Sequence, residues 1–487
     1  MTLQEMARAA FERDPALEVV EFEHRWYTWG ELRQVADRLR TLIDESGAGA
    51  SVAFAPRNCP SALAALLGLI AEGRTIKMVY VWQSGAGIAR DLERLKPSVF
   101  VAAPQELSSE VRETARSLGI ALIALTDMDA AFVPGFAHTQ REVDPDAPAS
   151  PQLQILTSGT TGLPKQFPIP YELLTNVLRA GATMFATHGA NLATMPPVLL
   201  FFPIGNITGI YSTVPTLIQG MRIVLLERFT LDGWRDHVRR FKPPQAGLPA
   251  AGVQMVLDAD VPREELASIR TIGTGAAPVD PAVQRAFEER YGIPILLAYG
   301  ATEFGGRVCS MTAADYAQYG QAKLGSVGRA VGGAKIRVVD PETGAELGAN
   351  EEGLFEVVSP HMGPHWIRTT DLGVIDQDGF VFHRARADGA IMRGGFKVLP
   401  ETIERALALH ASVVGSAVVG VTDRRLGQVP AAAVQLRAPV SFDELASHLR
   451  QHVPATHIPT QWRVIEELPR NASMKVDRAG VRRLFEG

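Results

Sequence analysis

The 487-residue chain is too long for one ordinary domain, and its 46% hydrophobic and 21% charged residues describe a globular protein with a large core, not a disordered or fibrous one. Its 48 basic and 53 acidic side chains leave a net charge of −5 without a basic stripe, which argues against nucleic acid or an anionic membrane as partner. No run reaches the roughly 18 apolar residues of a membrane span. The N-terminal MTLQEMARAAFERDP carries acidic residues and is no secretory leader, and the two cysteines, Cys59 and Cys309, lack metal-ligand spacing, so the expectation is a cytoplasmic protein with reduced thiols.

Taken in chain order, Thr28–Leu32 (TWGEL) opens an amphipathic helix whose apolar positions recur through Ile43. A buried strand at Ser51–Ala55 and a helix from Pro60 to Ile70 follow, the latter ended by Gly73. Strand Thr75–Val81, helix Ile88–Leu95, strand Val99–Ala102, helix Glu106–Leu118 and strand Ile120–Leu125 continue an alternation that predicts a wound, mainly parallel sheet covered by helices. After a Pro-rich turn at Asp144–Pro151 the pattern resumes: a helix from Tyr171, strand Val198–Phe202, helix Ile207–Ile218, strand Arg222–Leu226 and helix Leu231–Phe241. A helix near Ala250–Leu257, strand Ser268–Ile272, helix Pro281–Tyr291 and strand Ile295–Ala298 complete it. From Lys335 the texture changes to short, antiparallel-looking strands (KIRVVD, GLFEVVS, LGVID, GFVFHR), and after Arg386 to a small α+β unit of helices Pro400–Leu409 and Phe442–Gln451 with strands Val413–Val421, Ala431–Gln435 and Trp462–Glu466. The fold class expected is therefore α/β. A large N-terminal domain (1–384, β-rich over about 325–384) of wound, mainly parallel sheets precedes a small mobile α+β C-terminal domain (388–487), with a hinge at 385–388.

Between Gln154 and Pro168 the sequence reads QILTSGTTGLPKQFP. Thr157, Ser158, Gly159, Thr160, Thr161 and Gly162 offer hydroxyls and accessible backbone N–H groups with nothing apolar to bury, and Lys165 adds an ammonium, which is the chemistry of a phosphate cradle. The Gly-to-Lys spacing is not that of the common nucleotidase loop, and the bland alternative is a surface turn. Three further turns stand at strand ends: GTGAAP (Gly273–Pro278), YGATEFGG (Tyr299–Gly306) and the turn before Asp371. In wound sheets such turns gather around one ligand crevice. His361 and His365 flank Gly363-Pro364 and do not make a helical metal pair, and no G-x-S-x-G hydrolase elbow is present.

Together these motifs resemble the ANL superfamily of adenylate-forming enzymes, which comprises acyl- and aryl-CoA synthetases, stand-alone or modular adenylation domains, and luciferases. The resemblance runs from TWGEL to Lys475. It implies that Thr157, Ser158, Thr160, Thr161 and Lys165 close over the β- and γ-phosphates of ATP, and that Gly275, Ala276, Ala277 and Pro278 flank the adenine and the acyl group. Tyr299, in the run Tyr299-Gly300-Ala301-Thr302-Glu303, would stack on adenine, with Thr302 on the α-phosphate and Glu303 holding Mg²⁺. Asp371 would accept from the ribose hydroxyls, Arg386 would face ribose and phosphate, and Asp388 would be the hinge pivot. Gly394, Gly395, Phe396, Lys397 and Val398, followed by Pro400 and Glu401, match the loop offered to the thiol acceptor, and Lys475 is the catalytic lysine. The implied acid pocket takes in Phe201, Phe202, Asn206, Gly275, Ala298, Phe304 and Gly305, which suits an apolar or aryl acid; Arg307 reads more simply as a surface ion pair than as a second anion contact. The sequence departs from the family pattern at Asn206, where acyl-CoA synthetases usually carry His, and at Thr370, Ala385 and Met474, where the family has Gly. Asn206 reads either as a pocket residue or as a helix cap.

The resemblance implies an ATP-dependent carboxylic acid ligase that forms an acyl-AMP, releases pyrophosphate and transfers the acyl group to CoA. The alternative acceptor is the phosphopantetheine arm of an acyl carrier protein acting in trans. A non-catalytic nucleotide-binding protein is a third reading, against which Lys165, Glu303, Asp371 and Lys475 argue. The implied cofactors are ATP, Mg²⁺ and CoA or phosphopantetheine, and the implied partner is a small carboxylic acid, without nucleic acid or membrane, in a monomer or homodimer.

Overall fold

The computed structural model describes residues 1–140, 148–157, 165–187, 195–275, 277–393, 396–423, 426–471 and 474–486. They form two compact units, Met1–Ala246 with Glu264–Ile269, and Gly247–Arg263 with Arg270–Gly487. The expected domain boundary at 385–388 falls within the second of them.

In the first unit, Thr28 and Glu31 form a reciprocal capping box, with Glu31 N–H donating to Thr28 Oγ1 (3.2 Å) and Thr28 N–H to Glu31 Oε2 (2.8 Å). This starts helix Trp29–Glu45, whose stripe Leu32, Val35, Ala36, Leu39, Leu42 and Ile43 is buried. The stripe packs on helix Pro60–Ala71, buried along its whole length. A Cβ at Gly68 would lie 2.8 Å from that of Ala36, so only glycine permits this approach. The seven-stranded sheet runs in the order Asp129–Phe132, Ala121–Thr126, Val99–Ala102, Ser51–Ala55, Thr75–Met78, Gln152–Thr157, Lys165–Pro170. Its interior pairs are parallel and both edge pairs are antiparallel. The alternation of strands and helices thus produced the expected wound sheet, while several elements were missed, edge strand Asp129–Phe132 among them. Helix Leu3–Phe11, with its own Thr2–Glu5 capping box, and the hairpin Glu18–Phe22/Arg25–Thr28 lie before the first predicted element. Strand Lys165–Pro170 was concealed by Pro168 and Pro170, which an edge strand tolerates. The helix expected over 106–118 starts only at Ser109, capped by Ser108. Glu106 belongs to a preceding turn, where its buried carboxylate takes the Arg57 Nε at 2.8 Å.

The second unit contains strand Thr271–Gly275 parallel to Ile295–Ala301, which turns through Thr302–Phe304 into antiparallel strand Gly306–Ser310. Gly300 is required there, because a Cβ would sit 2.4 Å from the Gly306 carbonyl oxygen, and Gly305 and Gly306 make the reversal at φ 69° and 125°. A four-stranded antiparallel sheet follows, Lys335–Val339, Gly353–Val358, Ile367–Ile375 and Val381–Arg386. The last part pairs Ile391–Arg393, Phe396–Val398, Val413–Asp423, Gly427–Leu436 and Gln461–Val464, with helices Pro400–Ala408 and Phe442–Arg450 packed on it around Ile403, Leu407, Leu445 and Leu449. One expectation is corrected here. Asp371 was placed after a turn and before a strand; it sits within strand Ile367–Ile375, directly paired with Arg386. The polar run Arg368–Asp371 hid the strand's first half, because its backbone ladder needs no apolar side chains.

Candidate active site

In the first unit, Thr157 and Lys165 are cross-strand partners, so the phosphate-loop motif is the connection of an antiparallel hairpin. Its tip, Ser158, Gly159, Thr160, Thr161 and Gly162 included, lies outside the described residues, as do the Thr157 and Lys165 side chains. Strand Val198–Leu200 ends before Phe201 and Phe202, whose rings lie 4.4 Å apart, with Phe201 also against Phe229. The next turn is pinned by buried Asn58. Its Nδ2 donates to the carbonyls of Phe202 (3.0 Å) and Leu226 (3.1 Å), and its Oδ1 accepts from Ile204 N–H (3.0 Å). Asn206 Oδ1 accepts from Gly209 N–H at 2.8 Å, so the residue does cap helix Ile207–Gln219.

In the second unit, Gly275 and Ala298 are register partners, and a Cβ on Gly275 would lie 3.0 Å from the Ala298 carbonyl oxygen. Ala277 is half-buried and Pro278 exposed, while Ala276 lies outside the described residues. Gly300, Ala301 and Thr302 are half-buried, Glu303 and Arg307 exposed, and Gly305 buried in its turn. Phe304 differs from its expected place. Its ring is buried among Val308, Cys309, Phe355 and Val357, so it fills the core beneath the turn instead of lining a pocket. An apolar residue in a Gly-rich motif is drawn to the core by the free energy of burying its ring.

Asp371 is the centre of the site. Its Oδ2 accepts from Tyr299 Oη–H at 2.6 Å, its Oδ1 lies 3.2 Å from His383 Nε2, and Arg386 Nε stands 3.8 Å from the same Oδ1. Thr369 Oγ1 accepts the Asp371 N–H (3.0 Å) and donates to the Phe355 carbonyl (2.9 Å). Burial alone would raise the Asp371 pKa, but the hydrogen bonds from His383 and Tyr299 and the nearby positive charge outweigh it and hold the carboxyl below its usual range. Tyr299 is pushed up, first by burial and then by the Asp371 charge; its ring packs near Phe304, Phe355 and His383. Thr370, which stands where the family has Gly, accepts from Arg386 Nη2 at 2.8 Å, and Ala385 buries its methyl in the sheet.

Lys475 comes to this same cluster from the far end of the chain. It retains solvent access, yet crowding by protein atoms lowers its ammonium pKa; Arg386 lowers it further, while Asp371 and Glu303 oppose the shift. Its backbone is fixed by Asn471, whose Oδ1 accepts Lys475 N–H (3.1 Å) and whose N–H donates to the Lys475 carbonyl (2.8 Å). Met474, which stands where the family has Gly, adopts a left-handed backbone at φ 62°. Arg478 braces the segment from behind, pairing with Glu404 (3.0 Å) and Glu401 (3.2 Å) and donating to the Val418 carbonyl. Phe396 and Lys397 pair with Arg393 and Met392 in a hairpin whose tip, Gly394 and Gly395, is outside the described residues; so is the Asp388 side chain, its backbone lying in the turn Ala387–Gly389. His383, Thr369 and Arg478 were missed as site residues. A histidine in the otherwise apolar run GFVF was the one available signal for His383, and its meaning depends on strand register.

Among the described residues no helix is long and apolar enough to cross a membrane, and no group of three His, Cys, Asp or Glu side chains could hold a metal. Residues 6–364 match the family model for AMP-binding enzymes, and residues 402–475 match that for the AMP-binding enzyme C-terminal domain. The chain is 27% identical to 4-coumarate–CoA ligase 3 of Oryza sativa subsp. japonica over 94% of its length and 87% of the relative's. It is 28% identical to the sulfoacetate–CoA ligase of Cupriavidus necator over 89% and 87% of the two chains. Its fold is shared with ATP-bound MatB from Rhodopseudomonas palustris, at 22% identity and a TM-score of 0.79 over 100% of this chain and 99% of that one. The two family matches, in order along most of the sequence, place the protein among the AMP-binding enzymes of the ANL adenylate-forming superfamily, as an AMP-forming acid–thiol ligase.

Proposed function

We propose that the protein activates an apolar or aryl carboxylic acid with ATP and passes the acyl group to the thiol of CoA. The observation that carries this reading is that Lys475, its backbone fixed by Asn471, lies within electrostatic reach of Glu303, Asp371 and Arg386, residues in part more than a hundred positions away. In the first half-reaction a carboxylate oxygen bonds to the α-phosphorus as the bond to the β-phosphate bridging oxygen breaks, giving acyl-AMP and pyrophosphate. Thr302 and Lys475 serve the α-phosphate, Asp371 and Tyr299 hold the nucleoside, and the Thr157–Lys165 hairpin holds the leaving phosphates. Such a transfer needs positioning and charge stabilisation more than covalent help. Glu303 is exposed and offers a hard cation one carboxylate, which fits Mg²⁺, an ion that keeps its waters and takes phosphate oxygens; bound there, it would neutralise phosphate charge.

In the second half-reaction the thiol sulfur bonds to the acyl carbon, the bond to AMP breaks, and the thiol proton passes to solvent. A rotation about Asp388 withdraws Lys475 and offers the Gly394–Lys397 hairpin to the thiol. The acid class rests on the residue types at positions that the family resemblance assigns to the acid, Phe201, Phe202, Asn206, Gly275 and Ala298, an aromatic and small set, and is in keeping with the acid named for the rice relative. Pyrophosphate release across a panel of acids, with and without CoA, tests the reading. Release dependent on an aryl acid with CoA-ester formation supports it; release without a CoA ester shifts the acceptor to a carrier protein; no release with any acid refutes it. Lys475→Ala suppresses adenylation and spares transfer from preformed acyl-AMP, and equal loss in both steps would overturn its role.

A further inference from the structure

We infer that Asn58 is a positioning residue for the acid, because its carboxamide sets the backbone of the turn that presents Phe202. The inference rests on the proposed reading of Phe202 as part of the acid pocket. Asn58 is 2% exposed and follows strand Ser51–Ala55 of the seven-stranded sheet. The turn follows strand Val198–Leu200, which belongs to a separate four-stranded sheet of the same unit. The ladder between Val198–Leu200 and Ile223–Leu225 ends at the pair Leu200 and Leu225, so Phe202, Pro203 and Ile204 have no strand beside them.

Asn58 stands in for that strand. Its Nδ2 donates to the Phe202 carbonyl at 3.0 Å, and its Oδ1 accepts the buried Ile204 N–H at 3.0 Å. Between them lies Pro203, which has no N–H to offer. A carboxamide presents a donor and an acceptor side by side, as a neighbouring peptide group would, and these partners dictate which end is which. Among the described residues, Phe202, Pro203 and Ile204 make no other hydrogen bond to a residue outside the turn. Leu226 differs. Its carbonyl also accepts from Asn58 Nδ2 (3.1 Å), but its N–H donates to the Leu200 carbonyl (2.8 Å) and Arg57 pairs with the adjoining Glu227 (2.6 Å). Two ties besides Asn58 therefore hold that segment. In the turn itself, burial of Phe201 and Ile204 fixes the depth, and Asn58 fixes how the peptide groups around Pro203 are turned. That orientation sets the direction in which the half-buried Phe202 ring leaves the backbone. Without the carboxamide, the Ile204 N–H and the Phe202 carbonyl lack partners and the turn must rotate to find them.

The test is a double-mutant cycle on the full-length protein, read by pyrophosphate release with ATP and acetate, hexanoate, benzoate or 4-coumarate. For the acid that wild type uses best, Asn58→Leu should raise the KM of the acid by about five- to tenfold and leave that of ATP within about twofold. A merely structural role would lower kcat through the amount of folded enzyme and leave both KM values in place. Phe202→Ala should also raise the KM of the acid, and the double variant should match Phe202→Ala alone within about twofold, because Asn58 acts through Phe202. Effects that multiply in the double variant, or an ATP KM that rises with that of the acid, would overturn the inference alone. An unchanged acid KM in Phe202→Ala would overturn the placing of Phe202 in the acid pocket, and release with none of the acids would overturn the proposed function; the inference falls with either. Should Asn58→Leu fail to fold, Asn58→Ser, which keeps one hydroxyl, decides the matter in the same cycle.

Discussion

Lys475 and the residue before it carry the most specific expectations at the scale of single side chains. In the proposed adenylation Lys475 acts in its ammonium form, and crowding together with Arg386 holds its pKa below the ordinary value of 10.5. The adenylation rate should therefore fall on the alkaline side at a lower pH than a free lysine would give. Replacing Arg386 by Gln removes one of the lowering causes, so the alkaline limb should move to higher pH; a limb that stays in place would show that Arg386 does not act on Lys475. Met474 adopts φ 62°, a region that costs an ordinary L-residue about 1 kcal/mol and a β-branched one more. Met474→Gly should leave pyrophosphate exchange close to wild type, because relief of that strain offsets the added freedom of the unfolded chain. Met474→Val should slow exchange and lower the thermal midpoint, since the Lys475 backbone follows directly. Equal rates for the two variants would mean that the left-handed turn does not set the lysine.

At the scale of elements, the lysine segment is held to its neighbours by one polar network. Glu404 on helix Pro400–Ala408 accepts from Arg478 and from the Val418 N–H (2.7 Å) of strand Val413–Asp423, and burial raises its pKa against the opposing charge of Arg478. Glu404→Ala leaves the guanidinium and that N–H short of an acceptor. The expected loss is about 2 kcal/mol in denaturant unfolding, between the cost of an exposed pair and that of a fully buried one. Glu404→Gln, which keeps an acceptor for the N–H, should lose less; the opposite order would discard the network as the brace. Strand pairing also explains what could be read beforehand and what could not. The GAT-E run named Thr302 and Glu303 at a strand end, as turn chemistry predicts, whereas Asp371 and His383 acquire their meaning from a register shift between Leu372 and Gly373 that no local pattern encodes.

Across the molecule, the clearest pH response expected lies away from the site. His237, on helix Leu231–Phe241 of the first unit, is 3% exposed, its Nδ1 has no hydrogen-bond partner among the described residues, and burial chiefly lowers its pKa to about 4. Below the ordinary value of 6.5 the unfolded chain binds a proton that the folded one refuses, so stability is fully present above 6.5 and is lost as pH falls towards 4. The loss amounts to about 3 kcal/mol at most, at roughly 1.4 kcal/mol per pKa unit. His237→Leu should flatten stability between those pH values in urea titrations, and an unchanged slope would assign the acid limb to other groups.

The wound sheet, the antiparallel sheet and the terminal α+β part were legible because apolar periodicity, capping residues and turn glycines act over a few neighbouring residues. The helix at Leu3–Phe11 and the edge strand Lys165–Pro170 were not, since one was short and the other carried prolines that only an edge position accommodates. By itself the sequence determined the family, through motifs whose resemblance runs from the TWGEL helix to Lys475. Only the tertiary structure decided that Phe304 belongs to the core, that Asn206 caps a helix, and that Lys475 comes within electrostatic reach of Asp371, Glu303 and Arg386. The physical reason is that burial, register and long-range charge are properties of neighbours in space, and these neighbours are far apart along the chain.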